Sequence, residues 1–220
     1  MAPALDAANG IPATNGTANT TDPNSNPIPA WAGPDLTRLL EVHHGENYTT
    51  RAISKVSLAP HALFARITSA TPVPQAAYTT VQCSPTSHIE LNSDLVYINH
   101  SCAPNLIFDM QAWEVRASDR GVRAGEELTF FYPSTEWSMA RAFECTCGDV
   151  ACLGVIDGAK NMQPKVLERY WICGHVREMR ERLVEEVREK RRSAGIEKEG
   201  LRVGGEKGLA FRAVAGAGVV

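Results

Sequence analysis

Six cysteines occur in this chain, and three of them crowd into one short run, Cys145-Thr146-Cys147-Gly148-Asp149-Val150-Ala151-Cys152. The C-x-C-x4-C spacing lies on a segment containing glycine, so a loop there can turn three sulfurs toward one point. Converging thiolates suit zinc, which in a structural site takes four ligands in a tetrahedron. The fourth ligand must come from elsewhere, and Cys102, just after Asn99-His100-Ser101, is the candidate. Two other arrangements compete. The cysteines can pair as disulfides, which an intracellular chain disfavours. They can also be unconnected buried thiols, which the tight spacing disfavours.

Two further stretches put polar and aromatic side chains in an unusual order. Tyr97-Ile98-Asn99-His100-Ser101-Cys102-Ala103-Pro104-Asn105 sets Asn99 and His100 between an apolar run and a Cys-x-Pro turn, where a strand ends. Turn chemistry alone accounts for such a pair, since Asn and Pro both favour turns. Gly125-Glu126-Glu127-Leu128-Thr129-Phe130-Phe131-Tyr132 reads as a turn leading into a strand of β-branched and aromatic residues. Taken by itself, that stretch is a core strand ending in an aromatic.

The three stretches, in this order, resemble the catalytic half of a SET-domain protein lysine methyltransferase followed by its post-SET zinc segment. The resemblance covers roughly residues 47 to 158 and is specific from Tyr97 onward. By position it implies that Asn99 and His100 contact the cofactor and that Tyr132 is the active-site tyrosine. Phe130 matches the position that influences how many methyl groups are added. Cys102, Cys145, Cys147 and Cys152 match the zinc ligands. Upstream the match weakens. The family carries a Gly-x-Gly turn that lets backbone approach the cofactor, whereas Thr49-Thr50-Arg51-Ala52-Ile53 and Val56-Ser57-Leu58-Ala59-Pro60 stand there. Side chains at those positions narrow the approach, because only glycine lacks a Cβ. A cysteine-rich pre-SET segment is also missing.

The activity implied is methyl transfer from S-adenosylmethionine to a protein lysine ε-amine. The sulfonium makes the methyl electrophilic, so zinc has a structural role only. The amine must be neutral, although free lysine has a pKa near ~10.4. An apolar channel beside a cationic sulfonium disfavours the ammonium. Tyr78, Phe131 and Trp137 are candidate channel walls, with plain core as the competing reading. A SET-derived, zinc-stabilised binding module without turnover is the alternative function, motivated by the missing glycines.

The elements that must position these residues are short. Ala62 to Ile67 and Ala77 to Gln82 read as strands, with Pro72 and Pro74 breaking the segment between them. Leu106 to Met110 and Trp113 to Ala117 read as a hairpin pair. The expected fold class is mainly β (α+β), a SET-like arrangement of several short curved sheets with a cysteine-rich loop and a C-terminal helix. Residues 1–32, rich in Ala, Pro, Asn and Thr, are expected to be disordered. The SET-like domain is expected over 33–140, the zinc segment over 141–160, a helix over 161–192 and a flexible tail over 193–220. Trp31 and the stretch from Asp35 to Val42 form a lead-in, docking through Leu36, Leu39 and Leu40. Pro164 suits a first helical position, and Gly174 is a point where the helix can bend or split.

Composition narrows the partners. The formal charge of −3 gives no global basic field for nucleic acid. No apolar run is long enough to span a bilayer. The first residues lack a basic start and an apolar stretch, so no secretory signal is expected. No Arg or Lys precedes Arg38, which argues against a mitochondrial presequence. The expected partner is a protein with an exposed lysine, histone or not, met by a monomer in the nucleus or cytoplasm. His43 and His44 are weak ligand candidates, and Cys173 reads as a packing residue.

Overall fold

The computed structural model describes residues 35–46 and 49–194. The segment expected to be disordered (1–32), Trp31 and all but the first residues of the expected tail (193–220) lie outside the described residues. The chain divides into two compact units, Met1–Arg180 and Glu181–Val220.

In the first unit a 3-10 turn at Leu36–Arg38 leads into β1 (Leu40–His43), which pairs antiparallel with β2 (Arg51–Ser54). Leu40 and Ala52 are buried, and Leu36 and Leu39 pack against the same core. Next come β3 (Leu63–Arg66), β4 (Thr71–Val73), β5 (Thr80–Gln82), β6 (His88–Glu90) and β7 (Asn99–His100). Then follow β8 (Leu106–Asp109), β9 (Glu114–Ala117), β10 (Thr129–Phe130), β11 (Phe143–Glu144) and β12 (Val155–Ile156). Among the described residues these make four sheets, ordered β1-β2, β3-β9-β8-β10-β7, β4-β6-β5 and β11-β12. The architecture is the mainly β one expected, of several short sheets with a helix at the C-terminal end.

The hairpin of β8 and β9 forms as expected, in register from Leu106 opposite Ala117 to Asp109 opposite Glu114. Its turn is held by Asp109, whose Oδ1 accepts from the backbone N–H of Gln111 and of Ala112, both at 3.0 Å. Asp supplies this kind of local bond routinely. Phe108, Val115 and Trp113 from the hairpin are buried at the centre of the core. Burying side chains of this size contributes on the order of 1.5–3 kcal/mol each.

Three local expectations change. Pro72 lies inside β4 and does not break the chain there. β4 is an edge of its sheet, where a residue without an N–H is tolerated. The strand read over Ala77 to Gln82 starts only at Thr80, because Thr80 Oγ1 closes a turn with the backbone N–H and carbonyl of Ala77, both at 2.9 Å. The single helix expected over 161–192 is two: α1 (Pro164–Leu167), with Pro164 in its first turn, and α2 (Gly174–Ser193). Between them Ile172 and Cys173 are buried, and the Cys173 thiol donates to the Phe108 carbonyl at 3.2 Å. Tertiary burial of this link overrides the helical spacing. Cys173 is a packing residue, placed before the second helix and not within it.

The described part of the second unit is the end of α2 and the residue after it. All of residues 181–194 except Leu183 are exposed there. Arg188 pairs with Glu185 at 3.6 Å, an exposed pair of the kind that adds little.

Candidate active site and metal centre

The two polar stretches meet at one side of the five-stranded sheet, where β10 lies between β8 and the edge strand β7. β10 runs parallel to β7, with Thr129 opposite Asn99 and Phe130 opposite His100. It is also parallel to β8 on its other side. Buried Asn105 fixes this arrangement. Its Nδ2 donates to the Glu127 carbonyl at 2.8 Å, and its Oδ1 accepts the Thr129 N–H at 2.9 Å. β10 ends after Phe130 because a 3-10 turn, Tyr132–Ser134, begins with proline in its first turn. That turn sets Tyr132 beside His100.

Asn99 is held on both sides. Its Nδ2 donates to the Thr50 carbonyl at 3.0 Å and to Glu127 Oε1 at 3.2 Å. Both amide hydrogens are used, which leaves Oδ1 as the acceptor this side chain can offer a ligand. Thr50 takes part through its backbone, which any residue provides. Its hydroxyl is folded back on Gly45, accepting the Gly45 N–H at 3.2 Å and facing the Gly45 carbonyl at 3.3 Å. The threonine standing where glycine is expected is therefore tied into the turn.

His100 and Tyr132 are joined directly. The Tyr132 N–H donates to His100 Nδ1 at 3.2 Å, and the Tyr132 hydroxyl donates to the Ile98 carbonyl at 3.3 Å. Their rings meet edge-on at 5.3 Å. Phe130 is buried, stacked on Phe108 at 4.1 Å and 4.7 Å from the Tyr132 ring. Phe143 turns toward both His100 and Tyr132, at 5.7 and 6.0 Å. Burial, with Glu136 and Glu127 adding to it, pushes the Tyr132 phenol well above its ordinary value. The phenol therefore stays protonated, as a hydrogen-bond donor or dipole and not as a base. Burial lowers His100 to about 4, so its imidazole is neutral near pH 7.

The four matched cysteines come together. Their sulfurs all lie within 4.8 Å of one another, with Cys102 and Cys145 at 3.9 Å. Four thiolates at about 2.3 Å from one zinc would stand about 3.8 Å apart, so the cluster fits a tetrahedral ion. All four are free thiols, and neither His43 nor His44 joins them among the described residues. The loop is shaped by the β11–β12 pair at its base and by Gly148 at φ 72° between the cysteines. Desolvation raises Cys102 to about 11 and carries Cys145 higher still. Desolvation raises Cys147 too, but hydrogen bonds from the Asp149 and Cys102 backbone and from Cys145 and Cys152 outweigh it, bringing it to about 7. Thiols this close resist ionising together until a cation is present.

Several neighbours of the site carry no signal in the sequence. Glu127, beside Asn99, stood in the quoted stretch, but only the folded register reveals its contact. Tyr170 comes from the link between the helices. It stacks on Phe131 at 3.7 Å and donates its hydroxyl to the Cys102 carbonyl at 2.9 Å. Glu136 is a buried carboxyl just beyond Tyr132, accepting from the Gln82 N–H at 2.7 Å and the Thr135 hydroxyl at 3.2 Å. A lone glutamate after a turn carries no signal that it will be buried. Of the candidate channel walls, Phe131 is core, Trp137 is half-buried and Tyr78 is 80% exposed.

The fold carries the SET signature. A SET domain profile matches residues 19–133, more than half of the chain, and the chain belongs to the SET-domain family. The match takes in Asn99, His100, Cys102, Phe130 and Tyr132 but stops before Cys145. The chain is 51% identical over 154 residues to methyltransferase flvH of Aspergillus flavus, covering 69% of this chain and 86% of that protein. It is 34% identical over 84 residues to histone-lysine N-methyltransferase ash1 of Drosophila melanogaster, 35% of this chain and 4% of that protein. Among solved structures, the crystal structure of KRYPTONITE in complex with mCHH DNA, H3(1-15) peptide and SAH aligns at 19% identity and a TM-score of 0.41. It covers 53% of this chain and 29% of that one. Family and relatives together make the chain a methyltransferase.

Proposed function

We propose that the chain transfers a methyl group from S-adenosylmethionine to a protein lysine ε-amine. The observation that carries this reading is the parallel pairing of β7 and β10. It sets Asn99 and His100 in one strand beside Phe130 and the turn that presents Tyr132 in the other.

The sulfonium supplies an electrophilic methyl. In the transfer a neutral amine forms the N–C bond as the S–C bond breaks, and its electron pair stays on sulfur. The methylated ammonium then loses a proton to solvent. Asn99 Oδ1 is the acceptor left for the cofactor's ammonium group, since its amide hydrogens are held by Thr50 and Glu127. Tyr132, kept neutral by burial, orients the amine and steadies the transferring methyl through its phenol oxygen. Phe130, without a hydroxyl, leaves room for a second or third methyl. Cys102, Cys145, Cys147 and Cys152 would hold a structural zinc that fixes the cysteine loop close to Phe143 and the active-site tyrosine.

The test is transfer of radiolabelled methyl from S-adenosylmethionine to purified histones and to a cell extract, with Tyr132→Phe as control. Label is expected on lysine of a discrete protein band and lost in the variant. Label confined to free small amines would contradict the protein substrate while keeping the methyltransferase.

A further inference from the structure

His100 touches both halves of the site. On one side its Nδ1 accepts the backbone N–H of Tyr132 at 3.2 Å. A ring nitrogen that accepts carries no proton, so the proton of this imidazole sits on Nε2. On the other side Nε2 lies 3.5 Å from Cys102 Sγ. The direction of that contact follows: the N–H donates to sulfur. Cys102 Sγ also accepts the Leu153 backbone N–H at 3.4 Å, from just beyond the cysteine loop. Two N–H donors aimed at one sulfur suit a thiolate, because hydrogen bonds to a charged acceptor are the stronger kind. The ring is kept in this orientation by Phe131, Tyr132 and Phe143, with centroids between 5.3 and 5.7 Å away.

We propose that His100 is a positioning residue that ties the four-cysteine metal site to Tyr132 through an N–H···S bond to Cys102. This deepens the proposed function and rests on its metal site. A metal-bound Cys102 thiolate would fix the imidazole, and the imidazole fixes the backbone at Tyr132, just past the end of β10. The loop and the active-site tyrosine are thus ordered together, by a side chain that the resemblance places at the cofactor.

Two measurements on the full chain test it. The first needs no variant. With cadmium-113 in place of zinc, an imidazole N–H proton should show a through-bond correlation to the metal. The second uses cobalt. His100→Asn keeps an acceptor near the Nδ1 position but loses the donor to sulfur. Its thiolate-to-cobalt charge-transfer band should move to longer wavelength, because an unbonded thiolate gives up electron density more easily. His100→Gln, whose amide reaches the Nε2 position, should restore the band toward that of the unsubstituted protein. Circular dichroism and one metal per chain would establish that the variants are folded. Metal bound with no imidazole correlation, or bands that coincide in all three proteins, would overturn the bridge and leave the methyltransferase reading intact. Failure of the unsubstituted protein to bind any metal would overturn the metal site and the bridge with it. Correlation and band shift without methyl transfer would support the bridge and sink the proposed reaction.

Discussion

Tyr132 is gripped at two points, by His100 at its backbone and by Ile98 at its hydroxyl, so its ring position does not depend on its own phenol alone. Tyr132→Phe is therefore expected to fold and to keep S-adenosylmethionine binding while turnover falls roughly hundredfold or more. Single-turnover kinetics beside calorimetry separates the two; equal loss of binding and turnover would argue against a role on the amine. Phe130→Tyr puts a hydroxyl beside the Tyr132 ring in a buried position and should shift products toward monomethyl-lysine. Mass spectra with only monomethylated product from the unsubstituted protein would remove the basis for that shift. Glu136 gives a pH prediction. Desolvation holds it up at about 7, against backbone and hydroxyl donors that lower it. A carboxyl raised above its ordinary 4.5 contributes stability that is full below that value and is lost as pH rises through about 7. His88, 4.0 Å away, and His175, bonded to the Thr135 carbonyl at 2.7 Å, are lowered by burial. Their contribution is instead present above 6.5 and lost as pH falls. Glu136→Gln removes only the loss on the alkaline side. Urea unfolding should show the variant gaining on the order of 3 kcal/mol over the unsubstituted protein between about pH 4.5 and about pH 8. Parallel stability curves would show that Glu136 is not held neutral.

Among the elements, the cysteine loop depends most on a single cause. β11 and β12 are two residues each, and between them the described hydrogen bonds are few, such as Cys145 N–H to the Gly154 carbonyl at 2.6 Å. Structural zinc contributes on the order of 10 kcal/mol or more to small segments of this kind. Chelation should release hydrogen-exchange protection at Cys145 and Cys152 while the β8–β9 hairpin stays protected; protection unchanged throughout would contradict a structural metal. Gly158 secures the chain after this loop. It has φ 71°, and a Cβ there would meet the Trp137 carbonyl oxygen at 2.7 Å. Gly158→Ala should cost at least roughly 1–3 kcal/mol, read from the urea midpoint. Which elements were legible follows from their range. The β8–β9 hairpin could be read because alternation and turn residues are local in sequence. The β7–β10 pairing joins residues about thirty apart in parallel, and no local pattern encodes a parallel register. The break before Gly174 was marked by glycine, but its cause, burial of Ile172 and Cys173, is tertiary.

At the scale of the whole molecule, the candidate site residues stand in the sequence as three stretches in order, and the fold brings those stretches together. Asn99, His100 and Tyr132 meet through the strand pairing, and Cys102 with the three loop cysteines meets through the turn after it. The partners that orient them were not legible. Glu127, Tyr170 and the Thr50 carbonyl act by position, and a backbone carbonyl leaves no mark on a sequence. The missing Gly-x-Gly looked like a defect in the cofactor turn, yet Asn99 is anchored there through backbone and the Thr50 hydroxyl closes on Gly45. The altered turn should thus weaken cofactor binding without abolishing it, a lost backbone contact being about 0.5–1.5 kcal/mol. Calorimetric titration of S-adenosylmethionine into the unsubstituted protein and into Asn99→Ala tests this most directly. Measurable binding to the first is expected, with a loss of roughly tenfold or more in the second. No heat and no thermal shift at millimolar cofactor with the unsubstituted protein would contradict it, and would leave a zinc-stabilised module that binds protein without turnover.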